Sequence, residues 1–180
     1  MKLYHIDRTG HLNENQTLYL KENFYTDTTN NEYYKEGLSS HGLYYYLDNV
    51  SNKNFAYDVI FEYERLLHFK DKLSRYQALY AFDINGVMNF IEKRELNDNF
   101  YKIYEVDTDY YEKHNMNLVR GWSHCIISKM AKLYWKDEED SDKSLEPVYE
   151  YLLKFPVKIG KEVSYKEISE EYEKIKKLNN

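Results

Sequence analysis

Residues 74–83 form a run that is apolar on both faces of a strand. One parity comprises Tyr76, Ala78, Tyr80 and Phe82, and the other comprises Gln77, Leu79 and Ala81. A strand of this kind must be covered on both faces, so the run predicts a buried strand near the centre of the fold. Ser74 and Arg75 are polar groups at the entrance of that strand, where binding residues are often placed. The run alone favours the simpler alternatives, a turn capped by Ser74 and a solvated Arg75.

Helical periodicity precedes this strand. Apolar residues recur at helical spacing and should face the core: Phe55, Val59, Ile60, Tyr63, Leu66 and Leu67. Ser51 or Asn52 can cap this helix, which we expect to end near Phe69. Glu62 and Arg65 lie three residues apart and predict a pair on its surface.

Strands and helices alternate along the rest of the chain without regular βαβ repetition. We predict strands at 2–8, 16–20, 43–47, 100–106 and 148–159, the last broken at Pro156. We predict helices at 86–94, at 109–135 with an interruption near Gly121, and after a capping box at 164–167. This mixed order favours the α+β class, and a length of 180 residues favours a single domain over 1–180.

Charge and hydropathy limit the classes of protein to which the chain can belong. The net charge of -6 disfavours a general nucleic-acid binder, which carries a basic face. No apolar run approaches the ~20 residues that span a bilayer, which predicts no membrane partner. Cys125 is the single cysteine, so no intramolecular disulfide can form, and the first residues lack a signal-peptide pattern. We therefore expect a cytoplasmic protein.

Several common catalytic patterns are absent from the sequence. There is no glycine-rich phosphate loop, no nucleophile elbow and no zinc helix among the six histidines, so no metal is expected. The segments that remain are 3–8, the run that begins at Ser74, and 150–159. Each places a charged or hydrogen-bonding side chain on or beside a strand that is otherwise apolar, and such a side chain needs a reason to be there.

The order of these segments resembles the mono-ADP-ribosyltransferase superfamily, whose cholera-toxin-like and diphtheria-toxin-like members use NAD. Four motifs carry the resemblance: Tyr4-His5-Ile6-Asp7, the loop 37–42, Ser74-Arg75-Tyr76-Gln77, and Glu150-Tyr151-Leu152-Leu153 followed by Pro156. They look like that family's first strand, the loop after it, its serine-containing strand and the strand that begins with its catalytic glutamate. Three features depart from the cholera-like pattern: His5 replaces an arginine, the middle motif reads Ser-Arg-Tyr instead of Ser-Thr-Ser, and Glu146 precedes Glu150 by four residues instead of two. The third departure disfavours arginine as the acceptor.

The resemblance implies a fold of two small antiparallel sheets around an NAD cleft, with flanking helices. It implies transfer of ADP-ribose from NAD to a macromolecular acceptor, a protein or a nucleic acid, with NAD hydrolysis as a variant. Glu150 would be the catalytic carboxylate, because cleavage of the nicotinamide–ribose bond makes the ribose cationic. Ser74 would hold Glu150 or the first-motif side chain in place. We expect Glu150 to face the cleft instead of an ion pair in the core.

The resemblance also assigns NAD-binding residues. Arg8 or Arg75 would donate to the pyrophosphate, since guanidinium groups bind phosphate in a bidentate manner. His5 would hold the adenosine ribose or a phosphate, and His41 would line the site. Tyr76 or Tyr80 would stack on nicotinamide.

The residues alone leave other interpretations open. His5 is equally compatible with a core histidine, and Ser74 with a cap on a turn. The fold could serve a non-catalytic binding or inhibitor protein, or the chain could be an unrelated small α+β interaction protein. Release of nicotinamide from NAD would distinguish the enzyme from both.

Overall fold

Two antiparallel sheets organise the protein, which has an α+β fold. The computed structural model describes residues 2–22, 34–47, 55–94, 101–138 and 146–178. The strands in these ranges are β1 (Leu3–Asp7), β2 (Thr17–Leu18), β3 (Ala78–Ala81), β4 (Lys102–Asp107), β5 (Tyr111–Asn115), β6 (Tyr149–Lys154) and β7 (Val157–Val163). One sheet is four-stranded with the order β1-β4-β7-β2, and the other is three-stranded with the order β3-β6-β5.

Helices flank the two sheets. They are α1 (Ser40–Leu47), α2 (Phe55–His68), α3 (Ile84–Arg94), α4 (His124–Trp135) and α5 (Tyr165–Leu178), with short 3-10 turns at Arg75–Gln77 and Met116–Leu118. The predicted capping box of α5 is confirmed, because Ser164 Oγ accepts from Glu167 N at 3.2 Å and Glu167 Oε2 accepts from Ser164 N at 2.8 Å. Among the described helices, none is long and apolar enough to cross a membrane.

The two sheets meet where β1 touches the end of β3. Tyr4 N donates to Phe82 O and Phe82 N donates to Tyr4 O, both at 2.8 Å. On its other side β3 pairs with β6, so that Tyr80 lies opposite Leu152. The first strand, the central strand and the strand containing Glu150 are therefore near neighbours, which a site drawing on all three requires.

The central strand β3 is buried on both faces, as its sequence predicts, but it begins only at Ala78, because Tyr76 and Gln77 belong to the 3-10 turn before it. Leu79 and Ala81 pack with Val106 and Ile159 of the four-stranded sheet. On the opposite face, Ala78 packs with residues of α2 and α4. The three-stranded sheet is therefore enclosed between the other sheet and two helices.

Several predicted elements are wrong. Residues 43–47, predicted as extended, belong to α1, which Ser39 caps by accepting from Gly42 N at 2.9 Å. Part of the predicted helix at 109–135 is strand β5 and a 3-10 turn. In β5 the buried residues are Glu112 and His114, so the strand has no apolar alternation that could have revealed it. The predicted caps Ser51 and Asn52 lie outside the described residues.

Helix α2 turns a different face to the core than its apolar spacing predicts. Val59, Tyr63 and Leu67 are 38%, 60% and 51% exposed. The buried face instead carries charged residues, among them Glu62 and Arg65, whose side chains form a 2.7 Å ion pair. The predicted pairing is therefore confirmed, but its predicted position on the surface is wrong, and this helix brings charge into the interior.

Helix α1 approaches the 3-10 turn so closely that only glycine fits at position 42. A Cβ on Gly42 would lie 1.9 Å from Tyr76 O. We expect Gly42→Ala to lower the free energy of unfolding by about 1–3 kcal/mol, because the backbone of one element must move. Urea denaturation measures this, with the exposed Ser40→Ala as a control expected to stay within about 0.5 kcal/mol of wild type. Equal midpoints for the two variants would contradict the tight contact.

Candidate active site

The side chain of His5 lies between β1 and β3, where the two sheets part just beyond their contact at Tyr4 and Phe82. One residue beyond the Tyr4–Phe82 contact, His5 Nδ1 lies 2.7 Å from Tyr80 O. A carbonyl oxygen only accepts, so Nδ1 carries the proton and donates. Burial lowers the pKa of His5, which favours this neutral ring. His5 thus fills the junction in place of a further backbone hydrogen bond between β1 and β3.

Tyr80 gathers several of the predicted NAD-binding residues around its ring. The His41 ring lies edge-on at 4.7 Å between ring centres, and the Arg75 guanidinium lies 5.0 Å from the Tyr80 ring centre. Burial and then the charges of Arg75 and Arg8 lower the pKa of His41 to about 3. His41 is therefore neutral at pH 7 and lies among cationic neighbours, of which Arg8 is exposed just after β1.

Arg75 and Glu150 form a buried ion pair. They are 6% and 3% exposed, and Arg75 Nη1 donates to Glu150 Oε1. The hydroxyl of Tyr134 accepts from Arg75 Nη1 at 2.9 Å and donates to Glu150 Oε1 at 2.7 Å. The expectations of a solvated Arg75 and of a Glu150 that faces a cleft are both wrong. Helices α2 and α4 cover this face of the sheet and remove both groups from water.

A second carboxylate lies beside the same guanidinium. Asp58 Oδ1 is 3.5 Å from Arg75 Nε, and this nitrogen has no hydrogen-bond partner among the described residues. Burial raises the pKa of Asp58 and the nearby Glu150 charge adds to the rise, although Arg75 opposes it. Arg75 thus has a carboxylate on either side and one buried donor without an acceptor.

Ser74 contacts a different carboxylate from the expected one. Its hydroxyl donates to Glu62 Oε1 at 2.9 Å and accepts from Tyr76 N at 3.1 Å. Glu62 Oε1 also accepts from Arg65 Nε at 2.8 Å. The alternative of Ser74 as a cap is confirmed, and its hydroxyl fixes the 3-10 turn that presents Arg75.

Tyr76 lies apart from the residues around Tyr80. Its buried ring packs edge-on against Tyr34 and Tyr46, with ring centres 5.7 and 6.3 Å away. The two tyrosines offered for nicotinamide stacking therefore have different surroundings, and only Tyr80 adjoins His41 and Arg75.

The structure adds residues that the sequence analysis did not select. They are Asp58, Glu112, His114 and Tyr134. His114 is the cross-strand partner of Glu150 and stacks on the Tyr134 ring. Asp58 could have been found, because Asp58, Glu62 and Arg65 recur on one helical face. Nothing in the local sequence marks the other three. In the ranges that the structure describes, no group of three or more metal-ligating side chains could hold a metal ion.

Comparison with known families places the chain without assigning an activity. The family model described as "Protein of unknown function (DUF2441)" matches residues 3–165. The match covers most of the chain, and the protein therefore belongs to the DUF2441 family. No curated protein matches the chain. The matched region contains every residue of the candidate site from His5 to Glu150.

Proposed function

We propose that this protein is an ADP-ribosyltransferase that binds NAD where the two sheets part. It transfers ADP-ribose to a protein or nucleic-acid acceptor, and water replaces the acceptor in a hydrolytic side reaction. The observation that supports this proposal is the convergence of His5, His41 and Arg75 on Tyr80, with Glu150 bound directly to Arg75. The two antiparallel sheets fit the fold expected of that superfamily.

The junction offers suitable donors for an anionic dinucleotide. Arg8 is exposed beside the two neutral histidines, so it can bind the pyrophosphate without losing an existing partner in the core. The Nε of Arg75 lies beside Asp58 but makes no hydrogen bond to any described residue, so it is a second donor suited to a phosphate oxygen. The ring of Tyr80 provides a flat apolar surface for a base or for nicotinamide.

Glu150 supplies the charge that the chemical step requires. Nicotinamide leaves with the electron pair of its bond to ribose, and the ribose becomes cationic until the acceptor attacks the same carbon and loses its proton. A carboxylate in a site without water stabilises that cation strongly. In the structure Arg75 neutralises Glu150, so a phosphate oxygen bound to Arg75 would weaken the pair and make the carboxylate available to the ribose.

One observation favours a second candidate function, a non-catalytic binding protein on the same fold. The carboxylate oxygen Oε1 of Glu150 is already bound to both Arg75 and Tyr134, and the residue is almost fully buried. A permanent structural ion pair would look the same. The two candidates differ in whether the purified protein releases nicotinamide from NAD.

NAD is expected to raise the melting temperature of the protein, and Arg8→Ala is expected to reduce that rise. A ligand at one hundred times its dissociation constant stabilises the folded state by about 2.7 kcal/mol. Loss of a charge-assisted hydrogen bond worth about 1.5–3 kcal/mol weakens binding roughly tenfold or more. Differential scanning fluorimetry over an NAD titration measures both effects.

Lys2→Ala is the matched control, since Lys2 is an exposed cation at the other end of β1 that pairs with Glu105. It should leave the NAD-induced shift unchanged. If NAD at millimolar concentration does not alter the wild-type melting curve, the protein does not bind NAD and the proposed function is wrong.

A further inference from the structure

The hydroxyl of Tyr134 forms hydrogen bonds with both charged groups of the candidate site, Arg75 and Glu150. Tyr134 is fully buried in α4, yet its oxygen contacts Arg75 Nη1 at 2.9 Å and Glu150 Oε1 at 2.7 Å. The hydroxyl accepts from the guanidinium and donates to the carboxylate, so three hydrogen bonds connect the three residues in a closed ring. The position of the Glu150 oxygen therefore depends on where the Tyr134 side chain is held.

His114 holds the Tyr134 side chain from behind. Their rings stack with 4.3 Å between centres and 21° between planes. His114 Nδ1 lies 3.0 Å from the main-chain carbonyl oxygen of Tyr134, and its Nε2 lies 3.2 Å from Glu112 Oε2. Asp137 Oδ1 lies 2.8 Å from the same Nδ1. His114 is thus fixed on both of its ring nitrogens.

The same network returns to the segment that carries Arg75. Glu112 Oε2 accepts from Leu73 N at 3.1 Å, two residues before Arg75. Glu112 and His114 lie on the face of β5 that adjoins Glu150, because His114 is opposite Glu150 in the register. Contacts therefore run from Glu150 through Tyr134, His114 and Glu112 back to the backbone beside Arg75.

We infer that Tyr134, braced by His114, is a positioning residue for the Glu150 carboxylate in NAD cleavage. This inference rests on the proposed function and assigns a role within it. Apolar packing would need only the ring of Tyr134, whereas the hydroxyl sets the direction from which Glu150 reaches the ribose. A displacement of about 1 Å at a reacting group can cost roughly 10²-fold in rate.

Tyr134→Phe tests the inference, because it removes the hydroxyl and keeps the ring that stacks on His114. Nicotinamide release is measured over a range of NAD concentrations. We expect kcat to fall by about 10²-fold while KM changes far less, since the lost hydrogen bond is to Nη1 of Arg75 and not to the Nε proposed to bind a phosphate oxygen. Tyr151→Phe is the matched control: Tyr151 is also buried, and its hydroxyl donates to the carboxylate of Asp83 at 3.1 Å on the opposite face of the same sheet. It should keep the wild-type kcat.

The possible results separate the inference from the proposed function. If wild-type protein releases no nicotinamide, the proposed function is wrong and the role of Tyr134 fails with it. If wild type is active and Tyr134→Phe keeps its kcat, or loses no more than Tyr151→Phe, only the inference is wrong. His114→Gln removes the stack but keeps a polar side chain, and it should lower kcat in the same direction with KM unchanged. If Tyr134→Phe lacks the near-ultraviolet circular dichroism of the folded protein, it has not folded and its kcat cannot test the inference. The test then rests on His114→Gln, and an unaltered kcat in that variant would overturn the inference.

Discussion

Glu150→Gln is expected to reduce nicotinamide release from NAD by about 10²–10³-fold, the usual loss when one preorganised electrostatic group is removed from an active site. Glutamine keeps the size of the side chain and one oxygen, so NAD should still bind. The lost charge matters mainly when the ribose becomes cationic in the transition state. Single-turnover release of nicotinamide at saturating NAD measures the chemical step, and the NAD-induced melting shift measures binding.

The buried ion pair adds a second effect to this prediction. Arg75 loses its ionised partner in Glu150→Gln, and a hydrogen bond to a charged group contributes about 1.5–3 kcal/mol to stability. The variant should therefore melt at a lower temperature than wild type, and its turnover must be measured well below that temperature. Without the structure, no change in stability would be expected, because the sequence predicted Glu150 to face a cleft.

Glu146→Gln is the control, since Glu146 is exposed four residues before Glu150. It should leave both turnover and melting temperature unchanged. If Glu146→Gln abolishes turnover while Glu150→Gln retains it, the catalytic carboxylate has been assigned four residues too late. If neither change matters in an active protein, the proposed role of the carboxylate is wrong.

Local patterns predicted the parts of the fold that depend on local physics. The run at 74–83, apolar on both faces, predicted a strand covered on both sides, and β3 is such a strand over Ala78–Ala81. The Ser164 capping box satisfies backbone donors within a single turn, so it marks the start of α5 whatever packs nearby. These elements need no information from distant parts of the chain.

Other parts depended on contacts that are remote in sequence. The apolar spacing of α2 suggested one buried face, but Arg65 and Glu62 are buried because Ser74 lies across from them. Arg75 is buried because Glu150, 75 residues away, neutralises it. Strand β5 carries Glu112 and His114 on its buried side, and a polar strand of this kind has no periodic signal. Burial of a charge is decided by its partner, and the partner cannot be read from local sequence.

The residues proposed for the candidate site could be selected from the sequence more readily than their connections. His5, His41, Arg75 and Tyr80 were among those selected, and they lie together in the fold. Ser74 is bound to Glu62 instead of Glu150, and Tyr134 takes the place beside the carboxylate. The types of residue in the candidate site are visible in the sequence, whereas the hydrogen bonds among them require the fold.

Arg75→Met is expected to lower the free energy of unfolding by about 3–5 kcal/mol, the cost of leaving a buried charge without its partner. Methionine fills much of the same volume as arginine, so the loss of stability reflects the missing charge and not a cavity. Glu150 would remain almost fully buried and, among the described residues, would keep only the hydrogen bond from Tyr134, and Asp58 would lose its nearby cation.

The double variant Arg75→Met/Glu150→Gln separates the ion pair from packing. Removing both charges relieves the unpaired carboxylate, so the double variant should be more stable than Arg75→Met alone. Arg8→Met is the control and should stay within about 0.5 kcal/mol of wild type, because Arg8 is exposed. Chemical denaturation of wild type and these variants gives the coupling energy between Arg75 and Glu150. If the loss of stability in the double variant equals the sum of the losses in the two single variants, the ion pair does not hold this face of the sheet together. The non-catalytic alternative then loses the structural role that favours it.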